Sequence, residues 1–524
     1  MQDNAGDGSY AWRGLGPYAE LLNISGMEFR SYQYNIIDSI IQHGNTLVVL
    51  PTGLGKTFIG VALVARSVYE GKRALFMAPT KPLAEQHYSV ISKMLKLQEG
   101  QIALLTGAMR KDARRALESS ASVLVATPQT IANDLRAGSL SLSGFGVAVF
   151  DECHHAVGKY AYTYIANELA ALNVLIVGLT ASPGSKPERV MSLVESLNIH
   201  HIESRTSTDE DVVAYVMPKY MHTMEIELSE TVKRVMSLIK PVAEESMKSL
   251  RGMGLLNFKS FESMPKGRLI KLGDEIKKIS ATGYRFGALF SYIKLLHAVH
   301  VYDLVATEGL YPFIAYLEAL SGREHKSRAV ESFISNANVR EALRIAREAA
   351  GRGEEHPKVA ALLGILAAYR GKSIMVFAQY RATVKMLAER LQHEGFGAMA
   401  FVGKKEGVTQ QQQKQVIDDF RSGKFNVLVA SSIGEEGLDI PSVDVVVFYE
   451  PIPNEIRNIQ RRGRTGRFRA GDVFILVAKG TKDEVYLFVS RSRERKIASL
   501  LSSVNRKLES RYAGTAKDGQ ATLE

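Results

Sequence analysis

Two distant segments of the chain carry residues suited to binding phosphate. Residues 460–467 read Gln-Arg-Arg-Gly-Arg-Thr-Gly-Arg, with four arginines in eight positions. Guanidinium groups this close repel one another unless an anion lies among them, and arginine suits polydentate phosphate contacts. Residues 51–57 read Pro-Thr-Gly-Leu-Gly-Lys-Thr, whose glycines let the backbone approach an anion. Two distant halves of one phosphate site predict a site built between two domains.

The upstream segment has the strand–loop–helix context of a P-loop, because an apolar strand precedes it and a helical pattern follows. Leu50 stands where the usual first glycine would be. Lys56 is expected to reach the β- and γ-phosphates, and Thr57 to hold Mg²⁺. Upstream, the amide of Gln33 is placed to read the adenine edge. The predicted nucleotide contacts are Arg30, Gln33, Thr52, Gly53, Leu54, Gly55, Lys56 and Thr57.

Two carboxylates follow the apolar strand 147–150. Asp151 suits Mg²⁺, held directly or through water, and Glu152 is placed to polarise an attacking water as general base. Cys153 adjoins two histidines, but consecutive positions cannot all point at one ion and the chain has no second cysteine. A zinc site is therefore not expected.

Three loops that follow other strands offer small hydroxyl residues beside proline or glycine. Such loops lie at the carboxyl ends of strands, where α/β sheets bind ligands. Hydroxyls and amides at helix starts suit backbone phosphates without reading base sequence. An ordinary turn is the alternative for each loop taken singly. The predicted nucleic-acid contacts are Pro79, Thr80, Lys81, Thr106, Gly107, Thr127 and Gln129, with Ser431 and Ser432 further on.

The second half of the chain supplies the other side of the expected nucleotide site. Gly437 and Asp439 are placed to approach the ribose or the phosphates across a cleft. Arg464 and Arg467 are three positions apart and share a helix face, so they suit arginine fingers on the γ-phosphate. Gln460 is expected to help position the attacking water. Arg461 and Arg462 are not assigned to the nucleotide; nucleic acid and local acidic residues are equal alternatives as their partners.

Three further residues are candidates to couple the phosphate state to domain closure. His154 follows the acidic pair, and Thr180 and Ser182 end a later strand. Simple helix capping is the alternative for the two hydroxyl residues.

Composition sets broad limits. The chain has 524 residues, a net charge of +11 and one cysteine. The positive charge favours a polyanionic partner, but only weakly for this length. A single cysteine excludes an intramolecular disulfide and suits a reducing compartment. No apolar stretch is long enough to span a bilayer, and no signal peptide is recognised. We therefore expect no membrane contact and a cytoplasmic, nucleoid-associated protein.

Alternating apolar strands and helical segments predict an α/β fold with two parallel sheets and an inserted helical domain. The expected divisions are a loose segment at 1–20, a first sheet domain at 21–213 and the helical insert at 214–353. A second sheet domain at 354–490 and a basic helix with a polar tail at 491–524 follow.

Six motifs in this order resemble superfamily 2 helicases, whose two sheet domains are RecA-like. They lie at 29–33, 51–57, 151–154, 180–182, 431–441 and 460–467. Asp-Glu-Cys-His-His-Ala-Val-Gly at 151–158, with the insert, resembles the archaeal Hef and Fanconi anaemia M translocase group. The resemblance implies use of ATP and Mg²⁺, and translocation on forked or branched DNA in fork repair or recombination. It also suggests an unidentified sliding-clamp or repair-protein partner. An RNA-directed helicase or duplex-RNA translocase, and an ATP-gated nucleic-acid clamp that does not unwind, stay as alternatives.

Many Hef proteins also carry an XPF-type nuclease after the helicase. Residues 494–496 read Glu-Arg-Lys, but Leu500 stands where that nuclease motif needs aspartate. No nuclease activity is expected, since two-metal cleavage needs clustered carboxylates. Residues 491–507 are instead expected to form a basic amphipathic helix that packs on the second domain or touches nucleic acid. The insert interleaves cations with aromatics, which suggests a grip on duplex; core aromatics under a solvated basic face are the alternative.

Overall fold

The computed structural model describes residues 15–23, 30–51, 53–156, 161–206, 209–213, 215, 220–280, 283–402, 409–431, 443–451 and 471–512. Within these ranges, no helix is long and apolar enough to cross a membrane.

As far as it is described, the first domain is a seven-stranded sheet whose neighbouring strands run parallel. Its strands are β1 Thr46–Val49, β2 Arg73–Met77, β3 Ile102–Leu105, β4 Val123–Ala126, β5 Phe145–Asp151, β6 Leu175–Thr180 and β7 His201–Ser204. Their order across the sheet is β3-β4-β2-β5-β6-β1-β7. Apolar clusters cover both faces, which explains why the strands read as continuous apolar runs.

Helices form both covering layers of the first sheet. They are α1 Ser31–His43, α2 Lys56–Tyr69, α3 Lys81–Met94, α4 Lys111–Ser120, α5 Pro128–Arg136, α6 Ala161–Ala171, α7 Pro187–Ser196 and the short α8 Glu210–Val213. The loose N-terminal segment was expected to extend to residue 20. Instead, the apolar side chains of Leu15 and Tyr18 are buried in the core of this domain.

The insert is helical and has a core of its own. Its helices are α9 Glu230–Gly252, α10 Lys266–Lys277, α11 Gly283–Thr307, α12 Leu310–Ser321, α13 Arg328–Ile334 and α14 Ala337–Gly351.

In its described residues, the second domain is a six-stranded parallel sheet, so the predicted fold class is confirmed. Its strands are β8 Tyr220–Ile226, β9 Ile374–Ala378, β10 Ala398–Phe401, β11 Val427–Ser431, β12 Val445–Phe448 and β13 Asp472–Ala478. They lie in the order β10-β11-β9-β12-β13-β8. The helices described in this part of the chain are α15 Pro357–Ala368, α16 Arg381–His393, α17 Gln410–Arg421 and α18 Lys482–Tyr512.

Strand β8 corrects the expected start of the insert. The insert was placed at 214–353, but residues 220–226 pair with β13 along the edge of the second sheet. The strand is mostly exposed, so its sequence lacks the continuous apolar run of a central strand.

Helix α18 corrects a second expectation. It starts after the last strand of the second sheet, but its distal apolar side chains are buried in the core of the first domain, not the second. Leu501, Val504 and Leu508 lie in that core, and the Asn505 side chain accepts a hydrogen bond from the backbone of Ile202 at 2.7 Å. The helix therefore ties the two sheet domains together.

A buried polar cluster fixes the insert to the second domain. Lys358 Nζ lies 2.6 Å from Asp483 Oδ2 and 3.0 Å from the carbonyl oxygen of Thr307. The Thr383 hydroxyl donates to Glu308 at 2.6 Å. Burial raises the pKa of Glu308 to about 7. Because these groups come from the insert and from the second domain, the two parts share one buried polar network.

Candidate nucleotide site and nucleic-acid loops

The P-loop lies between β1 and α2, and its described residues include two glycines with positive φ angles. Gly53 and Gly55 have φ angles of 84° and 71°, in the left-handed region that favours glycine. A Cβ at Gly55 would also collide with the amide of Gln33. Lys56 begins the helix and is nearly buried; its Nζ donates to the carbonyl oxygens of Leu50 and Pro51 at 2.5 and 3.1 Å.

The start of helix α1 is hydrogen-bonded to the P-loop. The Tyr32 hydroxyl donates to the carbonyl oxygen of Leu54 at 2.7 Å, and burial raises the pKa of this phenol. The Gln33 amide donates to the same carbonyl at 3.4 Å and accepts from the backbone of Arg30 at 3.2 Å. The Arg30 guanidinium donates to the carbonyl oxygen of Gly53 at 3.3 Å. Both predicted upstream residues therefore contact the loop, while recognition of adenine by Gln33 stays a prediction.

The acidic pair lies where β5 ends, two strands away from β1. Asp151 is fully buried, and its backbone carbonyl accepts from the Tyr162 hydroxyl at 2.8 Å. Glu152 has a φ of 47°, unusual for a residue with a side chain. Conformations of this kind are found at functional sites among other places, and the role of Glu152 as general base stays a prediction.

His154 links this motif to the next strand. Its Nδ1 lies 3.1 Å from Thr180 Oγ1 and 3.3 Å from Glu152 Oε2. The Thr180 hydroxyl also accepts from the backbone of Ser182 at 3.1 Å. The three candidate coupling residues therefore form one contact chain at the ends of β5 and β6.

The donor set beside the P-loop suits Mg²⁺. Thr57 lies in the first turn of α2, and Asp151 ends β5. A hydroxyl and a carboxylate are the hard oxygen ligands that Mg²⁺ takes together with phosphate oxygens.

The predicted nucleic-acid loops lie on the same edge of the sheet as the nucleotide loops, because parallel strands end on one side. Those loops follow β2, β3 and β4, which form one half of the strand order, whereas the nucleotide motifs follow β5, β6 and β1. Thr80 precedes α3, and its buried hydroxyl has no hydrogen-bond partner in the described part of the chain. Ser431 ends β11 and is buried.

A buried ion pair connects the segments that follow β3 and β4. It was not predicted from the sequence. Arg114 makes two hydrogen bonds to the Asp134 carboxylate, at 2.8 and 2.7 Å, and a third to the carbonyl oxygen of Met109 at 2.7 Å. Met109 belongs to the loop after β3, and Asp134 lies on the helix after the β4 loop. Arg114 stands among other cations on α4, so its sequence context gave no sign of burial.

Glu118 lies one turn beyond Arg114 and is also buried. Burial raises the pKa of this carboxyl to about 7, and the Asp134 carboxylate adds to the shift. Two carboxyl groups, Glu118 and Asp134, thus lie near the single guanidinium of Arg114. Near neutral pH, part of the Glu118 population is therefore protonated.

Several predicted residues lie outside the described ranges. They are Thr52, Ser432, Gly437, Asp439, Gln460, Arg464 and Arg467, together with the unassigned Arg461 and Arg462. Their predicted roles stay predictions.

The insert presents a mixed surface. Phe261 is buried in its core, so the core alternative applies to that ring. Tyr284 and Phe286 are 46% and 64% exposed, and Lys248 and Arg251 are also exposed. Both aromatic and cationic groups are thus available to a partner.

Three protein-family models match successive parts of the chain. The DEAD/DEAH box helicase family matches residues 30–190, and the helicase conserved C-terminal domain matches residues 357–469. Between them, residues 231–353 match the helical bundle of a family provisionally described as ATP-dependent RNA helicases.

Two curated relatives are similar over most of the chain. A Methanocaldococcus jannaschii protein, provisionally named an ATP-dependent RNA helicase, is 36% identical over 92% of this chain and 62% of its own length. The Schizosaccharomyces pombe ATP-dependent DNA helicase fml1 is 29% identical over 88% of this chain and 58% of its own. The chain thus spans about three fifths of each of these relatives.

A solved structure matches more completely. The crystal structure of the Pyrococcus furiosus Hef helicase domain is 40% identical, with a TM-score of 0.73, over 90% of this chain and all of that one. With the P-loop, the Asp-Glu-Cys-His motif and the helical insert in place, the chain belongs to the Hef helicase family of superfamily 2.

Proposed function

We propose that this protein is an ATP-dependent helicase or translocase that acts on forked or branched DNA, in replication-fork repair or recombination. The observation that carries the proposal is the division of one sheet edge. Loops suited to nucleic-acid phosphates follow β3, β4 and β2, and the ATP motifs follow β5, β6 and β1. On this proposal one sheet would hold both sites side by side, which suits coupling of hydrolysis to movement.

In the proposed cycle, ATP binds against the P-loop amides and Lys56. Thr57 and Asp151 would hold Mg²⁺, which neutralises charge on the phosphate oxygens when bound. Glu152 polarises the attacking water, and Gln460 helps to position it. Arg464 and Arg467 reach the γ-phosphate from the second domain on closure. Different affinities for nucleic acid in the closed and open states convert hydrolysis into movement along one strand.

DNA as the substrate is supported by the name of one relative and by the surface of the insert. The name of the S. pombe relative is that of a DNA helicase. The exposed Tyr284 and Phe286, with neighbouring cations, suit contacts with phosphates and unpaired bases near a junction. A clamp or repair-protein partner and a nucleoid location are further parts of this proposal.

An RNA-directed enzyme is the second candidate, and two observations favour it. The M. jannaschii relative and the family that matches the insert both carry RNA helicase in their names. The choice depends on contacts to the 2′-hydroxyl group.

The test is ATP turnover at saturating forked DNA, linear duplex DNA and duplex RNA. We expect forked DNA to stimulate turnover roughly tenfold over the protein alone, within the usual range of coupling between sites. Strong stimulation by duplex RNA with none by forked DNA would overturn the DNA proposal. ATP-dependent binding of forks without hydrolysis would instead identify a clamp.

Two variants serve as controls for the ATP site. Lys56→Ala should abolish turnover on every substrate while leaving the protein folded. Glu152→Gln should keep binding of ATP and lose hydrolysis, because it retains the shape of the side chain but not the base. Near-normal turnover in either variant would contradict the assigned role.

A further inference from the structure

A histidine outside the helicase motifs contacts the carboxylate that would hold Mg²⁺. His87 Nε2 lies 2.7 Å from Asp151 Oδ2, and both side chains are buried, with exposures of 3% and 0%. An ionised carboxylate only accepts hydrogen bonds, so Nε2 is the donor. The imidazole is held in place by Phe76, whose ring centre lies 4.7 Å away.

The position of His87 in the fold joins the two halves of the sheet edge. His87 lies on α3, which starts at Lys81 directly after Thr80, in a predicted nucleic-acid loop. Asp151 ends β5, and β5 is the direct neighbour of β2, the strand that leads into α3. The boundary between the nucleic-acid half and the nucleotide half therefore runs between these two strands, and the hydrogen bond crosses it.

The helix can carry displacement between its two ends. His87 is six residues beyond Lys81, which is about 9 Å along a rigid helix. A shift of the helix start on contact with phosphate would move the imidazole relative to Asp151. Loss of the His87 donor also removes one hydrogen bond from a buried carboxylate, and buried charged groups depend on such bonds.

We propose that His87 is a positioning residue with two linked roles. Its hydrogen bond orients the Asp151 carboxylate for Mg²⁺, and through α3 it relays nucleic-acid contact at Thr80 and Lys81 to that carboxylate. The second role rests on the proposed function; the first requires only the ATP site.

The first role is tested without turnover, by titrating Mg²⁺ into the protein with a fluorescent ATP analogue that is not hydrolysed. His87→Leu keeps an apolar side chain against Phe76 but removes the donor. We expect the half-saturating Mg²⁺ concentration to rise about tenfold, since loss of an outer hydrogen bond to a metal ligand typically costs 10- to 100-fold in affinity. An unchanged titration would overturn the proposal and leave His87 as a packing residue.

Two conservative variants separate positioning from loss of structure. In His87→Gln the amide nitrogen reaches about as far as imidazole Nε2, whereas in His87→Asn it is one methylene short. We expect Gln to restore the wild-type titration and Asn to resemble Leu. If His87→Leu does not fold, the comparison of His87→Gln with His87→Asn decides the first role. Equal Mg²⁺ titrations for these two variants would overturn that role. Thermal unfolding of each variant confirms that folded proteins are compared.

The second role is tested by repeating the titration with forked DNA. Because coupling between two sites is reciprocal, DNA should lower the half-saturating Mg²⁺ concentration of the wild type and of His87→Gln, but not of His87→Leu. An equal shift in His87→Leu would overturn the relay. A wild type that responds to no nucleic acid in the turnover assay would overturn the proposed function, and the titration without DNA would still decide the first role.

Discussion

Nδ1 of His154 lies 3.1 Å from the hydroxyl oxygen of Thr180, so the acidic motif at the end of β5 is joined to the end of β6. The same hydroxyl accepts from the backbone of Ser182. We therefore predict that a change at the γ-phosphate which moves Glu152 or His154 is passed to the loop after β6 through the Thr180 side chain.

Thr180→Val should uncouple hydrolysis from strand separation. Valine keeps the shape of threonine but cannot bond His154 or Ser182. We expect ATP turnover to stay within about threefold of wild type while unwinding of forked DNA falls at least about tenfold, on the scale of site-to-site coupling. Both rates are measured on one preparation. Thr163→Val is the matched control, because the Thr163 hydroxyl is buried with no hydrogen-bond partner in the described ranges. A parallel loss of both rates would contradict a coupling role.

The Arg114–Asp134 pair should support both stability and nucleic-acid affinity. Arg114→Ala leaves a buried carboxylate unpaired, which typically costs 3–5 kcal/mol. It also releases the Met109 carbonyl, so the concentration of forked DNA that half-saturates turnover should rise several-fold. Replacing both partners by apolar residues, Arg114→Met with Asp134→Leu, should recover most of the stability but not the DNA affinity. Chemical denaturation and DNA titration measure the two effects.

The exposed neighbour Arg115→Ala is the control for stability, since it removes the same side chain from the surface of the same helix. If the double variant regained full DNA affinity, the hydrogen bond from Arg114 to the Met109 carbonyl would not contribute to DNA binding.

Glu118 should make the first domain less stable as the pH rises. Its pKa is about 7 in the folded protein against an ordinary value of 4.5, with burial as the main cause. The folded state therefore holds this proton more tightly than the unfolded state. The resulting stability is complete below about pH 4.5 and is lost as the pH rises to about 7.

Glu118→Gln keeps a neutral side chain at every pH. The variant should match the wild type near pH 5 and exceed its free energy of unfolding by on the order of 1 kcal/mol near pH 8. Denaturant unfolding at the two pH values measures this difference, and the exposed Glu168→Gln should follow the wild type at both. A pH-independent difference for Glu118→Gln would show that the carboxyl is ionised throughout.

Leu501 should hold the end of α18 on the first domain. It is 2% exposed in that domain's core. Leu501→Ala should cost about 2–5 kcal/mol locally, the usual range for a buried leucine. Amide hydrogen exchange should speed up in residues 497–512 and along β7, whose Ile202 amide bonds Asn505. The exposed Ser502→Ala should change neither. Unaltered exchange at β7 in Leu501→Ala would mean that the helix end contributes little to that edge.

Local patterns in the sequence predicted most of the fold and the loops on which many of the candidate site residues lie. The run 147–150 lies within β5, and the P-loop adopts the left-handed turns that its glycines favour. A strand buried on both faces is apolar at nearly every position, so a few consecutive residues are enough to predict it. Because parallel strands end on the same side, the order of motifs also predicted that their loops share one edge.

The tertiary structure decided which surfaces meet. Strand β8 is an exposed edge strand, so no apolar run distinguished it from the insert. The apolar face of α18 fits either domain by its sequence, and only the fold shows that it packs on the first. Arg114, Asp134 and His87 are polar residues on helices, a pattern that indicates a solvated surface. Their burial and their partners depend on contacts between residues far apart in the chain, which local periodicity does not encode.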